Sequence, residues 1–430
     1  MAKRSKLALL DGPKAVSLPW PPYPVIDHHE VNAATEVILS RALSDCGRGA
    51  FVGPMEDAYA KFFGSRYCLS FASGTAAIHA ALFAVGVRPG TEVLTCAHNW
   101  ISAITAILHA GGTPVLCDTA PGAFHIDPRE IARKATGNTR AVVATHLWGL
   151  PADMDKIMRA AAARRLPVIE DVSHSHGARY KGRLCGTIGQ IGAFSLQGSK
   201  AIVAGEGGFL VTDRKRYYQR ATVPGHHVSR LGEQMTLKEV KPFAAGGGMW
   251  SYRIPPIAAA IATAQLEKLP GLNAARQANF DRLRAGTKHL PFLSWPRLPR
   301  GSVRSWYSTP AFFDESRAGI RRDTFVAACR AEGTPVHGEG YRDWSQIPLL
   351  QDMKLFSQMF VVRHANGVAF RPVEKGSLPN YEAVRASMLL FGIPAVASPA
   401  LMDQVVDAVS KVAANLPALR TWQRAQAKPT

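Results

Sequence analysis

Between Arg66 and Asp213 the chain repeats one pattern: a short β-rich run, an amphipathic helical stretch, then another run. The runs are Tyr67–Ala72, Glu92–Cys96, Thr113–Asp118, Arg140–His146, Pro167–Val172, Gly192–Leu196 and Gly207–Thr212. Several are apolar along almost their whole length, as strands must be when both faces of a sheet are covered. Between the early runs, Ala77, Ile78, Ala81, Leu82 and Val85 recur at helical spacing. Ile101, Ile104, Ile107 and Leu108 do the same, and later Ile157, Met158, Ala161 and Ala162. Alternation of this kind predicts a mostly parallel α/β sheet.

Beyond the repeat, a Gly- and Pro-rich stretch (Gly246-Gly247-Gly248, then Pro255-Pro256) leads into a helical pattern from Ile257 to Leu269. Pro291, Pro296 and Pro299 mark a composition shift. Helices are then predicted near Arg322–Glu332 and Met402–Leu416, the latter with Val405, Val406, Val409, Val412 and Ala413 on one face. With 430 residues, 47% of them apolar, there is enough material for two packed domains. We read residues 1–270 as an N-terminal segment and a large α/β domain, and 271–430 as a smaller C-terminal α+β domain.

Composition closes off several function classes. The apolar run near the start, Leu7 to Leu10, is too short for a signal-peptide core, and no run approaches a membrane span. Cys46, Cys68, Cys96, Cys117, Cys185 and Cys329 are scattered with no C-x-x-C pair, which suits reduced thiols in a cytoplasm. The net charge of +19 is dispersed, apart from Met1-Ala2-Lys3-Arg4-Ser5-Lys6 and pairs such as Arg164-Arg165 and Arg321-Arg322. Basic residues are not interleaved with a row of aromatics, so a nucleic-acid groove is not expected.

Three features carry chemistry. Lys200 is the only charged residue between Arg183 and Glu206, set among apolar residues and glycines. Lost hydration would lower its pKa and make its amine nucleophilic, although a loop lysine reaching to solvent would read the same way. Phe71-Ala72-Ser73-Gly74-Thr75 joins a predicted strand to a helix, where small residues let backbone N–H groups approach an anion. An ordinary helix cap would also explain it. In Val168-Ile169-Glu170-Asp171-Val172-Ser173-His174 acids end an apolar strand, at the edge where ligands bind in parallel sheets. Each acid taken singly could be a solvated strand end. His174 and His176 have no third ligand at a recognisable spacing, so no metal is expected. Neither the Walker loop nor the Rossmann glycine fingerprint is present.

Together with their linking sequence, these features resemble the DegT/DnrJ/EryC1/StrS family of pyridoxal-phosphate (PLP) aminotransferases, from about Leu9 to Leu416. The resemblance is carried by Ser73-Gly74-Thr75-Ala76-Ala77, His146-Leu147-Trp148-Gly149-Leu150-Pro151-Ala152-Asp153, Glu170 to Ala178, Phe194 to Lys200, and Gly205-Glu206-Gly207-Gly208. Tyr252-Arg253-Ile254 is similar to the family's Tyr-Arg-Met segment.

The resemblance implies the type I, aspartate-aminotransferase-like fold and a job for each matching residue. Lys200 would carry PLP covalently and later move the substrate proton. Asp171 would pair with the pyridine nitrogen. Trp100 would stack on the cofactor, Gly74, Thr75 and Ser195 would hold its phosphate, and His174 would lie near the ring hydroxyl. Arg253 would reach a phosphate in the neighbouring subunit, implying a homodimer with shared sites.

It further implies an amine passed from L-glutamine or L-glutamate to the ketone of a cyclitol or sugar. Leu7 to Ala15 is similar to the start of the aminocyclitol branch, and also to aminohydroxybenzoate synthases. A PLP lyase or aldolase on the same fold is the further alternative. This chain departs from many relatives in having His174 where they carry Gln, and Pro255-Pro256 where they carry polar residues. Sugar-dehydrating relatives replace the lysine with histidine; Lys200 argues against that chemistry.

Overall fold

The computed structural model describes residues 6–246 and 250–426. Most of the basic Met1–Lys6 cluster, and Gly247-Gly248 of the glycine stretch, therefore lie outside the described residues.

Five strands come first: β1 (Tyr67–Phe71), β2 (Glu92–Cys96), β3 (Thr113–Cys117), β4 (Thr139–Thr145) and β5 (Val168–Asp171). A short ribbon, β6 (Arg179–Tyr180) and β7 (Arg183–Leu184), precedes β8 (Ile191–Ser195) and β9 (Gly208–Thr212). The seven longer strands form one sheet in the order β1-β9-β8-β5-β4-β2-β3. Only β9 opposes its neighbours, pairing antiparallel with both β1 and β8. All seven β-rich runs of the sequence are strands here, within a residue or so at each end.

The two-residue period of a strand explains how one sheet serves two cores. Phe71, Val93, Ala141, Val143, Ile169, Ile191, Ala193 and Leu210 fall in one buried cluster. Their alternates Cys68, Leu94, Val142, Ala144, Val168, Phe194, Phe209 and Val211 fall in the other. Phe194 and Phe209 stack across β8 and β9, with ring centroids 4.3 Å apart.

A second sheet with its own buried core is built from β10 (Leu293–Ser294), β12 (Thr309–Phe313), β13 (Val336–His337) and β14 (Met388–Phe391) in the order β10-β12-β14-β13. β11 (Ser302–Val303) instead joins the β6–β7 ribbon. Leu7 and Val16 pack into this second core beside Phe325, Phe391 and Val405, so the first described residues belong with the C-terminal cluster. All six cysteines are free thiols. Among the described residues no helix is long and apolar enough to cross a membrane.

One element runs well past its expected end. The helical pattern read as Ile257–Leu269 is a single helix, Pro256–Thr287, with Pro270 inside it. Proline removes one backbone hydrogen bond and usually stops a helix. Here Leu266, Leu269, Leu272, Phe280 and Leu283 stay buried on both sides of it, and that packing outweighs the lost bond. The helix thus crosses residues 270 and 271 unbroken and joins the two cores.

Candidate active site

The carboxyl ends of β1, β2, β4, β5 and β8 converge on one cavity of about 360 Å³, the position ligands take in α/β sheets. Its rim is completed by Glu206 and, from the C-terminal part of the chain, by Tyr307 and Tyr341.

At the end of β1, Ser73 caps the Gly74–Ala84 helix, its Oγ accepting from the Ala76 N–H at 3.1 Å. The first-turn amides of Gly74 and Thr75 have no intrahelical carbonyl to bind and carry the positive end of the helix dipole. A Cβ on Gly74 would lie 2.6 Å from Ser195 Cβ, and one on Gly208 would lie 2.5 Å from the Ser73 carbonyl carbon. Only glycine lets β1, β8 and β9 close this tightly, which sets the Gly74 and Thr75 amides beside Ser195 in the cavity wall, an arrangement that suits an anion.

Strand β5 separates its two acids by face. Glu170 points away from the cavity, fully buried, and accepts from His146 Nε2 at 2.9 Å. It also accepts from the backbone N–H groups of Gly186, Ile188 and Gly189. It is no solvated strand end; it pins the turn before β8. Asp171 points into the cavity, buried, and accepts from the Ser173 N–H at 3.1 Å. Burial raises its carboxyl above the ordinary value, offset in part by Ser173 and by the Lys200 charge.

Lys200 is 9% exposed. Burial pulls its amine below the ordinary lysine value, against the opposing pull of Tyr307 and Asp171. Its Nζ sits 4.3 Å from the centre of the Tyr307 ring. Its backbone is fixed by N–H donation to Gln197 O at 2.8 Å and by the Tyr23 phenol donating to its carbonyl. A lysine reaching to solvent is not what the fold builds.

His174 lies flat on Tyr307, ring centroids 3.8 Å apart and 11° from parallel. Its Nε2 meets the Tyr341 hydroxyl at 2.8 Å, and its Nδ1 accepts from the Trp148 N–H at 3.4 Å. Trp100, 44% exposed, lies at the cavity mouth against Tyr341 and the edge of Trp344. Arg253 does not line this cavity: its Nη1 reaches the Asp45 carbonyl and Cys46 Sγ, each at 3.4 Å. Of the eight residues expected at the site, seven therefore come together in this chain.

Sequence reasoning missed Tyr307, Tyr341, Asn99, Gln197 and Glu206 as lining residues. Two glycines bring the tyrosines in. Gly149, at φ 81°, accepts from the Ser305 N–H at 2.9 Å, and a Cβ there would lie 2.2 Å from the Ser305 carbonyl oxygen. A Cβ on Gly340 would lie 2.3 Å from Trp148 Cζ2. Gly149→Ala should therefore cost about 2–4 kcal/mol through clash and left-handed strain. Thermal unfolding checks this: a melting temperature within a degree of wild type would remove Gly149 as the pivot.

Fold and cavity together define an aminotransferase of the type I architecture. The model of the DegT/DnrJ/EryC1/StrS aminotransferase family matches residues 24–352. The chain belongs to that family and is an aminotransferase. It is 31% identical over 438 aligned residues to a Micromonospora echinospora protein named provisionally as an L-glutamine:3-amino-2,3-dideoxy-scyllo-inosose aminotransferase, covering 96% of this chain and 99% of that one. It is 33% identical over 311 residues to the L-glutamine:scyllo-inosose aminotransferase of Streptomyces griseus, covering 70% and 73%. Among solved structures, the aminotransferase from Psychrobacter cryohalolentis superposes with a TM-score of 0.81 at 26% identity, covering 93% of this chain and all of that one.

Proposed function

We propose that the chain is a PLP-dependent aminotransferase that moves the amine of L-glutamine, or of L-glutamate, to the ketone of an uncharged cyclitol. The observation that carries the cofactor is the meeting of a buried lysine and a buried aspartate beside an anion cradle. Gly74, Thr75 and Ser195 would hold the phosphate, Asp171 the pyridine nitrogen, His174 the ring hydroxyl side, and Trp100 the open face. When bound, PLP supplies the electron sink for the amine's transfer. Lys200 Nζ holds and moves the substrate proton, while Asp171, kept dry, holds its charge at one end of the cavity.

The choice of acceptor rests on what lines the cavity. Apart from Lys200 it is lined by no Lys or Arg among the described residues, whereas Ser73, Asn99, Ser102, Ser173 and Gln197 offer hydroxyl and amide groups. Such walls suit a polyhydroxylated neutral ring. Within this chain they offer no fixed cation for a nucleotide diphosphate, or for the carboxylate of an aminohydroxybenzoate precursor. The names of the two relatives point the same way.

Spectroscopy tests the reading. The visible band of the purified, PLP-loaded protein should bleach on adding L-glutamine, with keto acid released. A keto-inositol should restore the band, and a TDP-keto sugar should restore it poorly. A loaded protein that ignores both glutamine and glutamate would favour a lyase.

We further propose a homodimer with shared sites, working in the cytoplasm. Support comes from the exposed apolar face at Ile38, Leu39 and Leu43, with Leu39 76% exposed, and from Arg253 lying outside its own chain's cavity. Native mass measurement should give two chains. Leu39→Glu combined with Leu43→Glu should shift the population toward monomer and lower activity at least about tenfold, because charge on a buried interface core is strongly unfavourable. A dimer undisturbed by the double change would place the interface elsewhere.

A further inference from the structure

Several polar groups in the cavity wall are already spent on neighbouring protein groups. Ser73 Oγ caps its helix, and His174 uses both ring nitrogens, on the Trp148 N–H and the Tyr341 hydroxyl. Asn99 is tied at both ends: its Nδ2 donates to Thr145 Oγ1, and its Oδ1 accepts from the Trp100 N–H, each at 2.8 Å. Gln197 and Glu206, which line the same cavity, still have polar atoms to offer.

The backbone sets these two side by side. Strands β8 and β9 pair Phe194 with Phe209 and Ser195 with Gly208. Beyond the strand ends, the Leu196 N–H donates to Gly207 O and the Gly198 N–H to Gly205 O, each at 2.9 Å. The register therefore runs on and brings Gln197 opposite Glu206. Side chains two apart along an extended chain share a face, and Gln197 and Glu206 both line the cavity together with Ser195.

The Gln197 amide has a fixed direction. The Ser199 backbone N–H can only donate, so the amide atom it meets at 2.9 Å is the carbonyl Oε1. Ser199 Oγ donates to the same oxygen at 2.6 Å. The Nε2 end is turned away from Ser199 and, among the described residues, donates to no protein atom. The Glu206 carboxylate is exposed at the rim and has neither a hydrogen bond nor an ion pair among the described residues. A free donor thus stands beside a free acceptor, on the loop that carries Lys200.

The chemistry of that pair selects its ligand. Glu206 repels a phosphate, and it repels the α-carboxylate of an amino donor equally. An ammonium group would use Glu206 and leave the Gln197 donor idle. A hydroxyl both donates and accepts, so adjacent ring hydroxyls use both side chains at once.

We propose that Gln197 and Glu206 are specificity-determining residues for the ketone acceptor, the Gln197 amide donating to a ring hydroxyl while the Glu206 carboxylate accepts from that hydroxyl or its neighbour. The proposal rests on the cyclitol aminotransferase reading and names the groups that read the polyol. Because the pair and Lys200 share one loop, the grip also fixes the ketone relative to Nζ.

The probe is an inositol, which carries the ring hydroxyls but no ketone, titrated calorimetrically into the PLP-loaded protein. Gln197→Glu sets two carboxylates side by side and removes the donor, so affinity should fall at least about tenfold. Glu206→Gln should weaken it less, by about threefold. The decisive variant carries both changes. Carboxylate and amide then trade places, and because a hydroxyl serves either, affinity should return to within about threefold of wild type. In turnover, KM for a keto-inositol should follow the same order, with KM for glutamine moved less than about twofold. The proposal is overturned by wild-type protein that binds no inositol, by unchanged affinity in Gln197→Glu, or by a double variant no better than that single one. A glutamine KM that rises while inositol affinity holds assigns the pair to the amino donor and overturns it too. If wild type binds inositol yet bleaches with neither glutamine nor glutamate, the aminotransferase reading fails on its own while the hydroxyl grip stands.

Discussion

Lys200→Ala should abolish turnover while leaving the fold intact. Loss of a positioned proton carrier costs about 10²–10⁴-fold, and here the same side chain is also the proposed covalent anchor, so a fall of at least about 10³-fold is expected. The stability expectation runs the other way. Lys200 is 9% exposed, and burial already draws its pKa down. Removing a buried cation whose partners are a tyrosine ring and a raised carboxyl leaves no strong ion pair broken, so the melting temperature should hold or rise. The visible band should vanish. Equilibrium dialysis should still find PLP held, because the cradle at Gly74, Thr75 and Ser195 does not use the lysine. Lys200→Arg should be equally inactive, since a guanidinium cannot become the neutral base the step needs. An alanine variant that keeps a tenth of wild-type turnover would dismiss Lys200 as the reacting amine.

Much of this was readable from residue order because it depends on local rules. Strand alternation and helical spacing placed all seven long strands, and the small residues following the Tyr67–Ala72 run and the acids in the Pro167–Val172 run marked where the cavity would be. Lys200 stood out as the one charge in an apolar stretch. Tyr307 and Tyr341 were invisible, since each sits far along the chain from Lys200 and reaches the cavity only because Gly149 and Gly340 allow backbone and ring to touch Ser305 and Trp148. The continuation of the helix through Pro270 was equally hidden: the penalty is local, but the compensating burial of Leu269, Leu272 and Leu283 is tertiary. Glu170 and Asp171 read alike as letters. Only the sheet's two faces tell them apart.

That distinction yields the second large expectation, a double dissociation between adjacent carboxylates. Asp171→Asn should lose about 10²–10³-fold in activity, the range for removing one preorganised charge from a dry site, with little loss of stability. Its carboxyl is raised by burial, so below the ordinary carboxylate value the protonated form supports the fold, and that contribution is lost as pH rises through the raised value. Asn cannot ionise. Relative to wild type, the Asn variant should therefore gain stability as pH climbs from about 4 upward, in cofactor-free protein followed by thermal unfolding.

Glu170→Gln should do the reverse. This carboxylate accepts from His146 at 2.9 Å and from three backbone amides, and its pKa is lowered because these partners outweigh burial. Its contribution is present above the ordinary glutamate value and lost as pH falls through the lowered one. Replacing one oxygen by an NH₂ group sets donor against donor in a fully buried pocket, for a cost of about 3–5 kcal/mol. The variant should melt many degrees lower, yet at a temperature where it is folded its glutamine half-reaction should be near wild type, since Glu170 does not line the cavity. Activity lost with stability kept in Glu170→Gln, or the converse in Asp171→Asn, would exchange the roles of the two acids and move the cofactor to the other face of β5.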